Sequence, residues 1–557
     1  MSERVWSGTA ASPGVALGAA WQLPEETSAA RLVPTERRDR ERDLARRALA
    51  AAVEELSAVA RRLPRAEAEI VETGALMAQD PTLIEAVEHA IVARGVSAAQ
   101  AILFAVEEHA RAIASLSDET LAGRADDVRS LGRRAARLAS GTDASKPKPP
   151  GGSILLAHDL GPGDVAELAP SLAGIALAGG GPTAHAAIVA RSLGIPMVTG
   201  LREAAREIAD GTMLAIDGAS GTAIAAPSPE RAKLVRGEMS ARLAALRRSH
   251  EMRSEPAITT DGTRVLVLVN VASREELEVG LSAGAEGIGL LRTELSFLEA
   301  AGWPGEQEHT AMLEPILEPL DAASAVVRVL DFGADKAPPF LRDVPERGIA
   351  LLLAHPEAFT AQLRAILLAS QRHDVRVLLP MVQRAEQVLR TRALLEAAAR
   401  PLGIGRIPLL GSMIETPEGA RDADAIARSS DFLSVGTNDL TASTLGADRF
   451  KANGARAHHP LVLRSIARTV AAAHDAEIAI EVCGEAASDP IMLPLLVGLG
   501  IDELSVGAAR VGVVREWIRQ LSGAEVAGLA RSALTMDTAE EVEWAVRPLA
   551  AEHALAQ

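Results

Sequence analysis

IPLLGSMIETPEGARDADAIARSSDFLSVGTND, residues 407–439, carries the pattern that decides the fold. Two short β-rich runs, IPLLGSMIE and FLSVGTND, flank a helix-prone stretch, and they end on the carboxylates Glu415 and Asp439. An apolar run of strand length followed by ten to twenty helix-prone residues is the repeating unit of a parallel sheet. The unit recurs on both sides. VLVLVNV, GIGLLRTE, VVRVLDF and VRVLLPM precede it, beyond Ile258, and IAIEVCGE and ELSVGA follow. Eight strands alternating with helices over roughly 270 residues predict a (β/α)8 barrel.

A barrel of this kind gathers its chemistry at the C-terminal ends of its strands. Those ends carry Arg292, Asp331, Asp335, Lys336, Glu415, Asn438, Asp439, Cys483 and Glu485, and Arg328 falls within the third strand. A single Arg at a strand end is usually a salt-bridge partner, but five strands ending this way make that reading improbable. Glu415 and Asp439 are hard oxygen ligands suited to one Mg²⁺ that keeps some of its waters. Arg292 and Arg328 offer planar forks to phosphoryl oxygens, and Arg449, in the loop after Asp439, is placed to hold a carboxylate. The composite site fits a small molecule carrying both groups, and phosphoryl transfer needs such positioning and charge neutralisation. Cys483 reads two ways. It is either a buried small apolar residue or, facing the same mouth, a candidate proton donor.

Upstream, the β-rich runs ILLAH, GIALAGG and MLAIDG alternate with helical stretches from Ile154 to Ala226 and predict a compact α/β domain. The opening segment, Thr9 to Leu17, is similar in character and is expected to complete it. Within it, GGGPTAH (179–185) sets a flexible turn before His185, and Ala186 to Leu193 reads as a helix. His185 therefore lies near a helix N-terminus, where backbone N–H groups and the dipole favour an anion such as a phosphorylated imidazole. The turn lacks the Lys-Ser/Thr ending of a nucleotide P-loop, and an incidental His on a Gly-rich turn is the plain alternative.

Between these segments, residues from about Glu36 to Ser140 are helical in character. Leu49, Val53, Leu56, Ala60 and Leu63 form an apolar seam, Asp80-Pro81 breaks the pattern, and Ser97 with Gln100 makes a capping signature. Gly141 to Gly152 reads as a linker. Ser228-Pro229-Glu230 starts a charged connecting helix that runs to about Ser254. The expected organisation is an α/β domain from 1–24 and 146–227, an inserted helical domain at 25–145, a linker helix at 228–254, and the barrel at 255–557.

Composition narrows the function classes. The 557 residues are 48% hydrophobic and 24% charged, as in ordinary globular proteins. A net charge of −17 argues against nucleic acid or anionic lipid as partner, so an anionic substrate must be met by local Arg clusters. Cys483 is the single cysteine, which excludes an intrachain disulfide. With no signal pattern at Met1 to Ser7 and no apolar run of membrane-spanning length, the expectation is a cytoplasmic protein without a membrane segment.

Taken in order, ASPGVALG, GPTAHAAIVARSLGIP, GAEGIGLLRTE, LDFGADK, IETP, SVGTNDLTA and CGEAASDP closely resemble enzyme I of the bacterial sugar phosphotransferase system. The resemblance runs nearly end to end. It implies a swivelling phosphohistidine domain with an inserted helical bundle, a linker helix and a C-terminal (β/α)8 TIM barrel. It also implies transfer of the phosphoryl group of phosphoenolpyruvate to the enzyme's own histidine and then to the phosphocarrier protein HPr, with release of pyruvate. By motif, His185 is the phosphorylated residue and Cys483 the acid that protonates the leaving enolate. Glu415 and Asp439 are the Mg²⁺ ligands. Arg292, Arg328, Asn438 and Arg449 contact phosphoenolpyruvate, and Lys336 and Arg347 line the site. The helical insertion is the HPr-docking surface, and the barrels form a homodimer. The chain departs from the family pattern at Pro182-Thr183-Ala184, usually Arg-Thr-Ser, at the shortened segment before Arg347, at Ala350 and at Ala442-Ser443. A dikinase or synthase would add a nucleotide-grasping domain that about 110 helical residues cannot supply. A degenerate regulator that binds without turnover is the other alternative, and retention of the metal and acid residues weighs against it.

Overall fold

The computed structural model describes residues 3–24, 32–63, 65–115, 124–141, 148–182, 184–202, 207–333, 337–341, 344–446 and 456–552. The chain divides into two units, one ending at Ala241 and the other beginning at Arg242.

In the first unit, β1 (Arg4–Ser7), β2 (Thr9–Ser12) and β3 (Val15–Gln22) share a sheet with five later strands. These are β4 (Ser153–Ala157), β5 (Leu172–Leu177), β6 (Met197–Thr199), β7 (Met213–Asp217) and β8 (Thr222–Ala225). The spatial order is β1-β8-β7-β3-β4-β5-β6-β2. The strand β3 is the seam: it pairs parallel with β4 and antiparallel with β7, so chain from before the helical segment is hydrogen-bonded to chain from after it.

The segment between β3 and β4 is a bundle of α1 (Arg38–Ala60), α2 (Arg65–Leu76), α3 (Pro81–Arg94), α4 (Ala98–Ala114) and α5 (Ala125–Ala139). Leu49, Leu56 and Ala60 are buried in its core, and Val53 and Leu63 pack against it from the edge. Small side chains let the helices approach closely. A Cβ added to Gly132 on α5 would lie 2.4 Å from a Val106 methyl on α4. Asp80 and Pro81 do more than interrupt a helix: Asp80 accepts a hydrogen bond from Thr82 N and Pro81 fills the first position of α3. Ser97 caps α4 through Gln100 N.

The bundle is tied to the α/β part by ions as well as by apolar contact. Arg134 on α5 reaches Glu55 on α1 and both Asp164 and Glu167 on α6 (Pro162–Leu168), at 2.8–3.1 Å. Next come α7 (His185–Ser192) and α8 (Pro229–Glu251), the latter starting at the Pro229 signal and crossing from the first unit into the second.

The second unit is a closed parallel barrel of β9 (Leu266–Val271), β10 (Gly287–Arg292), β11 (Ser324–Arg328), β12 (Val375–Leu379), β13 (Leu410–Ile414), β14 (Phe432–Gly436), β15 (Ala479–Cys483) and β16 (Glu503–Gly507). Seven of the strands fall inside their β-rich runs, and β11 starts two residues before VVRVLDF (326–332) and ends at Arg328 within it. Helices cover the outside through a large aliphatic core, while Leu290, Val326, Leu378, Met413, Phe432 and Cys483 form a separate cluster on the opposite strand face, inside the barrel. Among the described residues no helix is long and apolar enough to cross a membrane.

Candidate active site

At the C-terminal end of the barrel, Arg328 closes β11 with its guanidinium buried. Glu294 lies 2.6 Å from it and Asp331 3.3 Å. Burial alone would depress its charge, but Glu294, Asp331, Glu415 and Cys483 outweigh burial and hold it firmly protonated. The strand end is fixed from behind: Thr293 donates to the Arg328 carbonyl, and Gln362 donates to Thr293 while accepting from Leu330 N.

Glu415 follows β13 and is buried, accepting a 2.9 Å hydrogen bond from Met381 N. Burial and the nearby Asp331 push its carboxyl up to about 8; Arg328 pulls it down, and Asp439 adds to the rise. Asn438 and Asp439, read from sequence as a strand end, lie instead in the first turn of the helix Thr437–Leu445. The strand passes into the helix without a loop, so its terminal carboxylate becomes a helix N-terminal one, which the dipole favours. Arg347 lies 3.7 Å from Asp439.

Cys483 is the last residue of β15 and only 2% exposed. Ser434 Oγ stands 3.4 Å from its sulfur and the Val435 carbonyl 3.7 Å. Burial, reinforced by Glu481, pushes the thiol up to about 12, so it carries its proton at neutral pH. The chain turns sharply after it: Gly484 has φ +119°, and a Cβ there would meet Thr437 Oγ1 at 2.5 Å.

Arg292, Arg328, Glu415, Asn438, Asp439 and Cys483 thus line one cavity of about 210 Å³. Arg347 joins them through Asp439, whereas Lys336 and Arg449 lie outside the described residues. The charge balance bears on a metal. Glu294 and Asp331 already hold Arg328, and burial with Asp331 keeps Glu415 up at about 8, so ionising Glu415 beside Asp439 calls for a further cation. Glu415 and Asp439 would hold a divalent cation, which would supply that charge and offset their repulsion of an anionic substrate. Among the described residues no cluster of three His, Cys, Asp or Glu could hold a metal, Asp335 lies outside them, and an ion held by two carboxylates would keep positions for substrate and water.

In the first unit, α7 begins at His185 with Ala184 as its cap and no side-chain cap bond. Gly180 takes φ +77°, the left-handed geometry that the turn needs. Arg191 donates to the Pro182 and Ala11 carbonyls, pinning the turn. The imidazole is 13% exposed, with Nδ1 3.0 Å from Asp127 Oδ2 on α5. The contact lies off the ring N–H axis and is not an aligned hydrogen bond. Arg124 reaches the same Asp127 oxygen at 3.5 Å. Sequence reasoning missed Asp127 and Glu294. Glu294 stood inside the quoted GIGLLRTE run; Asp127 lies on a charged helical stretch between Arg124 and Ser130, and nothing local separates it from the other charges there.

Three family descriptions match the chain in order: "PEP-utilising enzyme, N-terminal" over residues 7–124, "PEP-utilising enzyme, mobile domain" over 149–221, and "PEP-utilising enzyme, PEP-binding domain" over 246–522. The chain is 36% identical to the phosphoenolpyruvate-protein phosphotransferase of Streptomyces coelicolor, over 98% of this chain and 99% of that protein. It is 32% identical to the protein of that name in Bacillus subtilis, over 96% and 98%. With the multiphosphoryl transfer protein of Rhodobacter capsulatus it shares 39% identity over 83% of its own length, and it spans 57% of that longer protein.

Proposed function

The chain belongs to the phosphoenolpyruvate-protein phosphotransferase family, and from that premise we propose that it moves the phosphoryl group of phosphoenolpyruvate onto His185 and then onto the phosphocarrier HPr. The observation that carries this reading is the single cavity that joins Arg292, Arg328, Glu415, Asn438, Asp439 and Cys483. In this reading Arg292 and Arg328 grip the phosphoryl oxygens, and Asn438 orients the substrate from the first helical turn. Arg347, beside Asp439, joins them, and the family motif assigns Lys336 and Arg449 to the same substrate. Glu415 and Asp439 hold Mg²⁺, which when bound neutralises phosphoryl and carboxylate charge.

With Asp127 beside Nδ1, Nε2 of His185 is the free nucleophile. Its lone pair forms the N–P bond as the P–O bond to the enolate breaks. Cys483 gives its proton to the enolate methylene carbon, and pyruvate leaves. The protonated thiol suits this role because it donates and does not compete as a nucleophile. The helical bundle is the HPr-docking surface, the barrels pair as a homodimer, and the protein works in the cytoplasm as the first step of sugar phosphotransfer.

Incubation with labelled phosphoenolpyruvate, Mg²⁺ and a panel of purified carriers tests this. The wild-type chain is expected to take up acid-labile, alkali-stable label and pass it to HPr, and His185→Ala to take up none. Stoichiometric label on His185→Ala would sink the reading.

A further inference from the structure

The barrel interior holds a buried acid that this reaction does not use. Glu481 lies on β15 two residues before Cys483 and so on the same strand face, which looks into the barrel. Register places it beside Ser434 on β14 and beside Glu503 on β16. It is 1% exposed, with the hydroxyls of Ser434 and Ser505 facing its carboxyl and no aligned hydrogen bond to either oxygen. Space for it is provided from β10: a Cβ on Gly289 would lie 2.4 Å from both Glu481 Oε1 and Ser505 Oγ.

The groups around Glu481 decide its charge. Arg376 on β12 is the cation that faces it, and Arg376 already pairs with Glu503 at 3.3 Å. One guanidinium cannot offset two enclosed carboxylates, and an enclosed carboxylate without aligned donors is costly to ionise. Burial first, then Glu503, raise the Glu481 carboxyl well above its ordinary range, against the pull of Arg376 and the two serines. Its surroundings therefore favour the protonated, neutral form of Glu481.

That proton has a polar route to Cys483. Ser434 Oγ is 3.4 Å from the sulfur, and the Val435 carbonyl accepts from the thiol on its other side. We propose that Glu481 is the proton reservoir of Cys483, restoring the thiol through the Ser434 hydroxyl after each enolate protonation; this rests on the reading of Cys483 as the acid. As the C–H bond forms on the enolate carbon, the S–H bond breaks. The Ser434 hydroxyl proton then moves to sulfur and the Glu481 carboxyl proton to the Ser434 oxygen, leaving Glu481 as carboxylate. Water returns the proton from the opposite end of the barrel. There Arg376, which faces Glu481, lines a cavity of about 690 Å³ at the starts of β11, β12 and β13, and water passing beside its side chain carries the proton in while the guanidinium keeps its own. Each pyruvate thus draws one proton from solvent behind the active site, while product still fills the mouth.

The test separates the first turnover from those that follow. The first phosphorylation uses the proton already on Cys483, and every later one needs reprotonation. Rapid-quench measurement of pyruvate, with full-length chain, phosphoenolpyruvate and Mg²⁺, is made without carrier for the first turnover and with excess HPr for the steady state. Glu481→Gln is expected to form its first equivalent at the wild-type rate and then to slow by at least about tenfold. Ser434→Ala, which breaks the route without touching Glu481, is expected to behave the same way. Wild-type steady-state rates in both variants would overturn the reservoir, as would a first turnover slowed as much as the steady state, which marks a packing role. If Cys483→Ala turns over like wild type, the acid itself falls and the reservoir with it.

Discussion

Cys483 shows how burial assigns a role to a side chain that composition leaves ambiguous. A thiol held up at about 12 is poor as a nucleophile and well suited to donate one proton. Cys483→Ala is expected to lower the rate of pyruvate formation by roughly 10²–10⁴-fold, with a much smaller change in the KM for phosphoenolpyruvate. Rapid-quench kinetics at saturating and limiting substrate measure both; a wild-type rate would reduce Cys483 to a core filler. His309 titrates without taking part in chemistry. It is fully buried against Phe297, neither ring nitrogen has a hydrogen bond among the described residues, and burial lowers its pKa from 6.5 to about 4. The unfolded chain binds a proton there below 6.5 while the folded barrel refuses it down to about 4. Its stabilising contribution is therefore complete above 6.5 and fades as the pH falls toward 4, by about 3 kcal/mol in all. Urea midpoints of the barrel transition at pH 7 and pH 4.5 should show His309→Leu losing less than wild type; equal losses would refute this.

The elements of both units were legible where a local signal marks them. Asp80-Pro81, Ser97 and Pro229 start helices because cap and ring geometry act within one turn. The eight barrel strands were legible from repeated apolar runs, though each strand is shorter than its run. Asn438 and Asp439 moved from strand to helix because periodicity does not mark where a strand gives way to a helix without a loop. Contacts between elements left no such mark. Arg134, which no local signal singles out, is buried among Glu55, Asp164 and Glu167. Burial pushes the Asp164 carboxyl upward, but Arg134 and Arg133, with Ser130, more than offset it and hold it below the usual range. Arg134→Met would strand these carboxylates between α1, α5 and α6, a cost of about 3–5 kcal/mol. Denaturation followed by probes in each unit should show the first unit weakened and the barrel transition unmoved. An unchanged first transition would show that apolar packing alone joins bundle to sheet.

At the scale of the whole chain, the first unit holds its own bundle core and sheet cores, and the barrel holds another. His185 lies in one unit, and the cavity with its Arg and carboxylate lining lies in the other. A fragment covering residues 1–248 is therefore expected to fold alone. It should exchange phosphate with phosphorylated HPr through His185 and accept none from phosphoenolpyruvate. Circular dichroism and label transfer read the two outcomes, and direct labelling by phosphoenolpyruvate would put the substrate site in the wrong unit.

By itself the sequence determined the classes of element, the repeat that closes into a barrel, and the residues crowded at its strand ends. These depend on period and spacing, which a linear chain records directly. Only the tertiary structure decided which charges meet. Glu294 on Arg328, Asp127 beside His185 and Glu503 beside Glu481 are set by which strands and helices become neighbours. The cost of burying each charge is set by that enclosure, and local sequence does not encode it.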